Sequence, residues 1–310
     1  MTIAARPPYR PSLWARLNDQ PYLLLALTSL FWAGNGVIGR AVAGDIPPVT
    51  LSLLRWGSAA LILLPFAWRH LVRDWPVIRA NLGILLLLSL IGVSVFNTLQ
   101  YTALQYTQAL NVLLLQSAGP LFVAIWSLLL LGVRLSWAQA GGMVTSLIGV
   151  LVILLHGDLS TLASLSLNRG DVIFLVALAI FGIYPVLVLK RPAIHSLSFL
   201  AFTFGCGSLM IVPLVAWELS VRPWPALSTA NVVTVAYIAV FASILSYLFY
   251  NRGVQIIGAN RAAPFFHLIP AFGAAMAIAF LGERLELFHL IGFTLVLVGV
   301  FVAARRTSAA

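Results

Sequence analysis

The sequence predicts an all-α integral membrane protein: ten transmembrane helices formed by two inverted five-helix repeats around a central cavity. Three observations lead there. The composition suits hydrocarbon and not water, the chain contains ten apolar runs of spanning length, and it matches itself at a constant shift of 150 residues.

Of the 310 residues, 61% are hydrophobic and 8% charged, whereas a soluble domain has about a quarter of its residues charged. A mean hydropathy of +1.03 agrees. The apolar runs lie near 21–43, 48–68, 81–104, 107–131, 136–156, 171–190, 196–217, 229–251, 260–281 and 285–304. Each can cross a hydrocarbon core of about 30 Å at about 1.5 Å per residue. The gaps between them carry breakers such as Pro47-Pro48, Pro76, Pro192 and Arg222-Pro223-Trp224-Pro225.

The self-match pairs Gln105 with Gln255, Ala109 with Ala259, Pro120 with Pro270, Phe122 with Phe272, Arg134 with Arg284, Gly142 with Gly292 and Gly149 with Gly299. Chance supplies Leu and Val matches in apolar sequence, but not a run of Pro, Gly, Gln and Arg pairs. The repeats are expected over 21–156 and 171–304, joined by 157–170 and flanked by cytoplasmic tails at 1–20 and 305–310. Five is odd, so the second unit enters the membrane from the opposite face. Inverted repeats are common in secondary transporters, where two halves rock about a midplane site.

The basic residues decide orientation. Arg6, Arg10, Arg16, Arg69, Arg73, Arg79, Arg134, Lys190, Arg191, Arg252, Arg261, Arg305 and Arg306 collect on the side of the termini, against Arg40, Arg169, Arg222 and Arg284 opposite. Both tails are therefore expected in the cytoplasm of a bacterial inner membrane. The first twenty residues hold no apolar core, and no cleaved signal peptide is expected. Trp14, Trp68, Trp75, Trp137, Trp217 and Trp224 fall near span ends and read as interfacial anchors.

The net charge of +10 follows this loop pattern and gives no nucleic-acid face. Cys206 has no partner cysteine, and His70, His156, His195, His267 and His289 are too scattered to hold a metal. There is no G-x-x-x-x-G-K-[ST] loop for ATP, no G-x-S-x-G and no H-E-x-x-H. An enzyme, a cofactor and a metal are thus not expected. The expected partners are a small solute and the bilayer, with the chain acting as a monomer.

Polar groups within spans mark the face turned toward protein or water. Ser94, Asn97, Tyr101 and Gln105 make one stripe in the third run, and Ser243, Ser246, Tyr247, Tyr250 and Asn251 another in the eighth. From these stripes Asn97, Tyr101, Tyr247, Tyr250 and Asn251, with Trp32, Asn35, Gln116, Tyr184 and His267, are the candidate cavity residues. They offer ring faces and amides to a small amphipathic solute, for which aromatic or apolar amino acids are a fit. Pro120, Pro185 and Pro270 are candidate hinges, each able to free a carbonyl one turn earlier. Arg55 could meet a substrate carboxylate, pair with carbonyls or a marginal acid, or snorkel to headgroups. His267 could couple protons or serve in packing. Asp and Glu are missing from the middle of every span, which speaks against a carboxylate proton relay.

Trp32-Ala33-Gly34-Asn35-Gly36, Leu51-Ser52-Leu53-Leu54-Arg55 and Leu281-Gly282-Glu283-Arg284-Leu285, taken with the helix count and the repeat, resemble the EamA-type exporters of the drug/metabolite transporter superfamily. The first unit ends Leu131-Gly132-Val133-Arg134-Leu135, so Val133 departs from the glutamate usual there. The layout is most similar to amino-acid exporters, including those for aromatic amino acids. The resemblance implies export of amino acids or similar metabolites by alternating access, without ATP. The same superfamily holds cationic-drug and nucleotide-sugar carriers.

Overall fold

The computed structural model describes residues 17–42, 44–107, 112, 115–155, 157–158, 168–281 and 286–305. Among these every regular element is helical. In chain order they are α1 (Pro21–Ala41), α2 (Pro48–Ala80), α3 (Leu82–Ala103), α4 (Gly119–Leu131) and α5 (Trp137–Leu154). There follow α6 (Arg169–Val188), α7 (Ser196–Val221), α8 (Thr229–Ile257), α9 (Leu268–Leu281) and α10 (Leu287–Ala304). Among the described residues 7 helices, namely α2, α3, α5, α6, α7, α8 and α10, are long and apolar enough to cross a membrane; α4 is shorter. Large apolar side chains such as Leu61, Phe66, Leu129, Leu209 and Leu297 cover the outside of the bundle. Contiguous apolar surface on this scale calls for a lipid solvent.

The run expected to end near 68 instead continues as helix to Ala80, through Pro65 and Pro76. Antiparallel packing of α2 on α7 holds the extension, burying Ala67, Asp74 and Ile78. The Asp74 carboxylate accepts hydrogen bonds from the His195 amide and the Ser198 hydroxyl, both at 2.8 Å, where α7 begins. At the other end Glu218 of α7 accepts from the amides of Val49 (3.1 Å) and Thr50 (2.7 Å) and from the Thr50 hydroxyl (2.8 Å). Each helix thus satisfies the orphan N–H groups at the start of its neighbour. Asp171 works similarly at the start of α6, in a capping box with Asn168 and a 2.5 Å bond from Thr107.

Several features recur 150 positions apart. A π turn at Leu90–Val95 interrupts α3, and another at Val240–Leu245 interrupts α8. α1 packs against α8 and α9, while α6 packs against α3 and α4. α5 crosses α10 antiparallel on glycine. A methyl group at Gly142 would stand 2.6 Å from the Gly299 carbonyl oxygen, and one at Gly149 2.7 Å from that of Gly292. Only glycine lets the backbones approach so closely.

The three prolines read as hinges stand in the first turn after a break, not within continuous helix. Pro120 is the second residue of α4, Pro185 follows the break at Gly182 in α6, and Pro270 is the third residue of α9, after a 3-10 turn at Ala263–His267. Proline there loses no helical hydrogen bond. Trp68, Trp75, Trp137, Trp217 and Trp224 are exposed at the bundle surface. Trp14, His156, Glu283 and Arg284 lie outside the described residues.

Candidate functional site

Arg55, early in α2, is 1% exposed. Its Nε donates to the Ser243 hydroxyl at 2.7 Å and its Nη2 to the Ala242 carbonyl at 2.7 Å, both in the π turn of α8. Nη1 faces Asn97 Oδ1 (2.8 Å), the Tyr101 hydroxyl (3.0 Å) and Asn35 Oδ1 (3.2 Å). The guanidinium also lies 4.6 Å from the centre of the Trp56 ring. Every one of these acceptors is neutral. The buried acids among the described residues are Asp74, Asp171 and Glu218, and each is engaged at a helix start. The guanidinium, which stays charged in proteins, therefore has no ion-pair partner among the described residues.

Beside it opens a narrow central cavity of about 40 Å³, bordered by Trp32, Asn35, Arg55, Asn97, Gln116 and Tyr247 together with Phe96, Phe181 and Phe266. The rings form its apolar wall. Trp32 stacks on Phe266 (5.7 Å between centroids, 9° between planes) and meets Phe181 and Tyr247 edge to face. Arg55 and the amides of Asn35, Asn97, Gln100 and Gln116 give it a polar side.

The π turns feed this site. Widened turns leave carbonyls available to side-chain donors. The Gly92 carbonyl of α3 accepts the Tyr247 hydroxyl of α8 at 2.5 Å. Its counterpart 150 positions on, the Ala242 carbonyl, accepts Arg55 and the Trp32 indole N–H (3.2 Å). On one side of this crossing the Tyr101 hydroxyl donates to Asn35 Oδ1 at 2.8 Å. On the other the Tyr184 hydroxyl donates to Asn251 Oδ1 at 3.1 Å. Tyr101 and Asn251 are counterparts at the same shift, and Tyr184 adjoins Pro185, the counterpart of Asn35.

The candidate residues thus divide. Trp32, Asn35, Asn97, Gln116 and Tyr247 border the cavity, and Tyr101 braces Arg55 from behind. Tyr250 packs its ring on Trp32 and Phe266, while its buried hydroxyl has no hydrogen-bond partner among the described residues. Tyr184 and Asn251 sit together beyond the cavity. His267 stands apart: Nε2 donates to the Ser117 carbonyl at 3.0 Å, so Nδ1 accepts from the Ser146 hydroxyl at 2.5 Å. The ring ties three segments together and does not border the cavity. Gln100, Phe96 and Phe181 do border it and were not singled out by sequence. Gln100 lies one turn from Asn97 and was legible by spacing; the phenylalanines carry no mark separating lining from core.

The profile of the EamA-like transporter family matches residues 20–155 and again 168–305. An uncharacterized transporter, YyaM, of Bacillus subtilis (strain 168) is 28% identical over 293 residues, covering 91% of this chain and 93% of the relative. A probable terminal-alkyne amino-acid exporter of Streptantibioticus cattleyicolor is 25% identical over 294 residues, covering 91% and 93%. A crystal structure 17% identical superposes with a TM-score of 0.70 over 92% of this chain and 98% of that one. With both halves of the sequence matched by a single profile, this protein belongs to the EamA-like transporter family and is a multi-pass membrane transporter.

Proposed function

We propose that the protein is a secondary transporter that exports amino acids, aromatic and other neutral ones, or similar small metabolites across the bacterial inner membrane by alternating access. The observation that carries this reading is a buried guanidinium without an acid among the described residues, set at the edge of a cavity walled by aromatic rings. A carboxylate answers the first feature and an apolar side chain the second. The same charge opposes cationic drugs, the runner-up cargo. A probable amino-acid exporter among the relatives agrees with the choice.

Ten spans in two inverted units supply the motion. The antiparallel crossing of α5 and α10, which are counterparts, and the exchange of partners between α1/α8/α9 and α3/α4/α6 support that arrangement. The two triplets rock against each other, with Asn35–Tyr101 closing one side and Tyr184–Asn251 the other. With the basic residues placed inside, the chain ends are cytoplasmic and the Arg55 side is the outer one. The unit of transport is the monomer, and no nucleotide takes part.

Vesicles containing the purified protein should exchange labelled phenylalanine or leucine faster than empty vesicles, with no nucleotide added. Arg55→Lys keeps the charge but loses the planar fork, and with it hydrogen bonds worth about 1.5–3 kcal/mol each. The rate at limiting substrate should fall by about tenfold or more. No stimulated flux across a broad amino-acid panel rejects the substrate class; unchanged flux in Arg55→Lys, Asn97→Ala and Tyr247→Phe alike removes the cavity.

A further inference from the structure

An amino acid offers two charges, and this cavity answers one of them. Among the described residues the groups bordering it include Arg55 and several amides but no Asp or Glu. None of the candidate residues around it supplies a carboxylate, because Asp74, Asp171 and Glu218 are held at helix starts. Two of the four amide oxygens bordering the cavity are turned away from an ammonium group: Asn35 Oδ1 and Asn97 Oδ1 both point at the Arg55 guanidinium, as does the Ala242 carbonyl. An ammonium beside them would face a like charge in a poorly screened interior. A second cation lies outside the cavity lining, close to Tyr184. Arg191, after α6, is largely buried, rests 4.7 Å over the Phe199 ring and leaves Nη1 without a hydrogen-bond partner among the described residues. It too has no acid within ion-pair distance there.

Of the five N–H groups of Arg55, the second on Nη2 has no acceptor among the described residues. That is the donor left for a cargo oxygen.

We infer that the recognised cargo feature is a carboxylate on an apolar body, and that the amino group is dispensable: the site takes apolar organic acids as a class, with amino acids as one kind of member. The inference rests on the transporter reading above and narrows its chemistry.

Matched compounds separate the possibilities in wild-type protein, so no variant need fold. The compounds are phenylalanine, 3-phenylpropionate and phenethylamine, with leucine, 4-methylpentanoate and 3-methylbutylamine as an aliphatic set. A ligand that binds only the folded state raises the unfolding temperature in a saturable way. Both carboxylates of each set should stabilise the detergent-solubilised protein with half-maximal concentrations within about threefold of one another, and the amine should be weaker by about tenfold or more, the factor for one lost charge-assisted hydrogen bond. An amine that stabilises as well as the acid overturns the inference. So does stabilisation by the amino acids alone, or by none of the six. Amino-acid flux persisting alongside any of these negative results leaves the transporter reading standing and removes only the claim about the amine.

Discussion

Replacing Gly149 by alanine places a methyl group 2.7 Å from the Gly292 carbonyl oxygen, 2.7 Å from the Val296 amide nitrogen and 2.8 Å from the Leu295 Cβ. Two of these three atoms are backbone, so no rotamer change relieves the clash. To restore ordinary contact α10 must retreat by roughly 0.7 Å, and gaps of about that size forfeit a quarter to a half of each neighbouring dispersion contact. Overpacking of this kind costs about 1–3 kcal/mol, against about 1 kcal/mol gained because alanine favours helix over glycine. The net is a loss of up to about 2 kcal/mol, seen as an unfolding temperature lower by up to about 3 °C. Gly299→Ala, the counterpart substitution, meets the Gly142 carbonyl oxygen and the Ser146 amide nitrogen and should lose a similar amount. Gly141→Ala is the control, since nothing lies within 4 Å of its added methyl; it should be neutral or stabilising. Thermal unfolding followed by intrinsic fluorescence in detergent decides the matter. A Gly149→Ala protein as stable as Gly141→Ala would refute the claim that glycine sets the helix separation here.

Glu218→Ala leaves the buried amides of Val49 and Thr50 without their acceptor; it should lower stability by about 2–3 kcal/mol, and Asp74→Ala should do the same at the start of α7, both read by thermal unfolding. His195, in the loop before α7, is held below its ordinary value by desolvation and then by the stacked His70 ring, with Arg73 and Arg191 adding to this and Asp74 opposing it. The folded state therefore binds fewer protons than the unfolded chain, so its contribution is complete above about pH 6.5 and declines as the pH falls below that. His195→Asn keeps an acceptor for the Leu197 amide and should flatten the difference in unfolding temperature between pH 7.5 and pH 5.5. His267→Gln, which retains groups to meet Ser117 and Ser146, should leave the pH dependence of flux unchanged; a flattened profile would instead make His267 a coupling residue.

Much of the fold is legible because hydrocarbon imposes one requirement: every span must be apolar and close its own backbone bonds. Helix positions and the 150-residue shift follow from that and from the Pro and Gly pairs. The end of α2 was not legible. Arg69, Arg73, Asp74 and Pro76 look like loop, and what keeps them helical is the Asp74 carboxylate on α7, more than a hundred residues away. At the site, the Asn and Tyr stripe on α3 named Asn97 and Tyr101 correctly as neighbours, since three- and four-residue spacing fixes a helix face. Spacing could not say that both turn toward Arg55, because that depends on how α2 crosses α3. The π turns were invisible too. An inserted residue leaves no compositional trace, yet it delivers Ala242 and Ser243 to the guanidinium.

The two hydrogen bonds flanking the cavity give the alternating-access proposal its most direct test. Asn35–Tyr101 and Tyr184–Asn251 occupy related positions on opposite sides of the α3/α8 crossing, but the chemistry is exchanged, amide then phenol in one and phenol then amide in the other. Removing a hydroxyl from either should bias the protein toward opening on that side. Interhelical hydrogen bonds in membranes average about 0.6 kcal/mol, with a maximum near 1.7, so Tyr184→Phe should shift the equilibrium by about threefold and Tyr101→Phe by at least that in the opposite sense, since it also braces Arg55. The shift can be read with a cysteine at Gln116, after replacement of Cys206 by serine, as the ratio of labelling rates by an impermeant thiol reagent from the two faces of oriented vesicles. The two variants must move that ratio in opposite directions. Movement in the same direction would mean that the bonds merely stiffen the bundle, and the gates would have to be sought elsewhere.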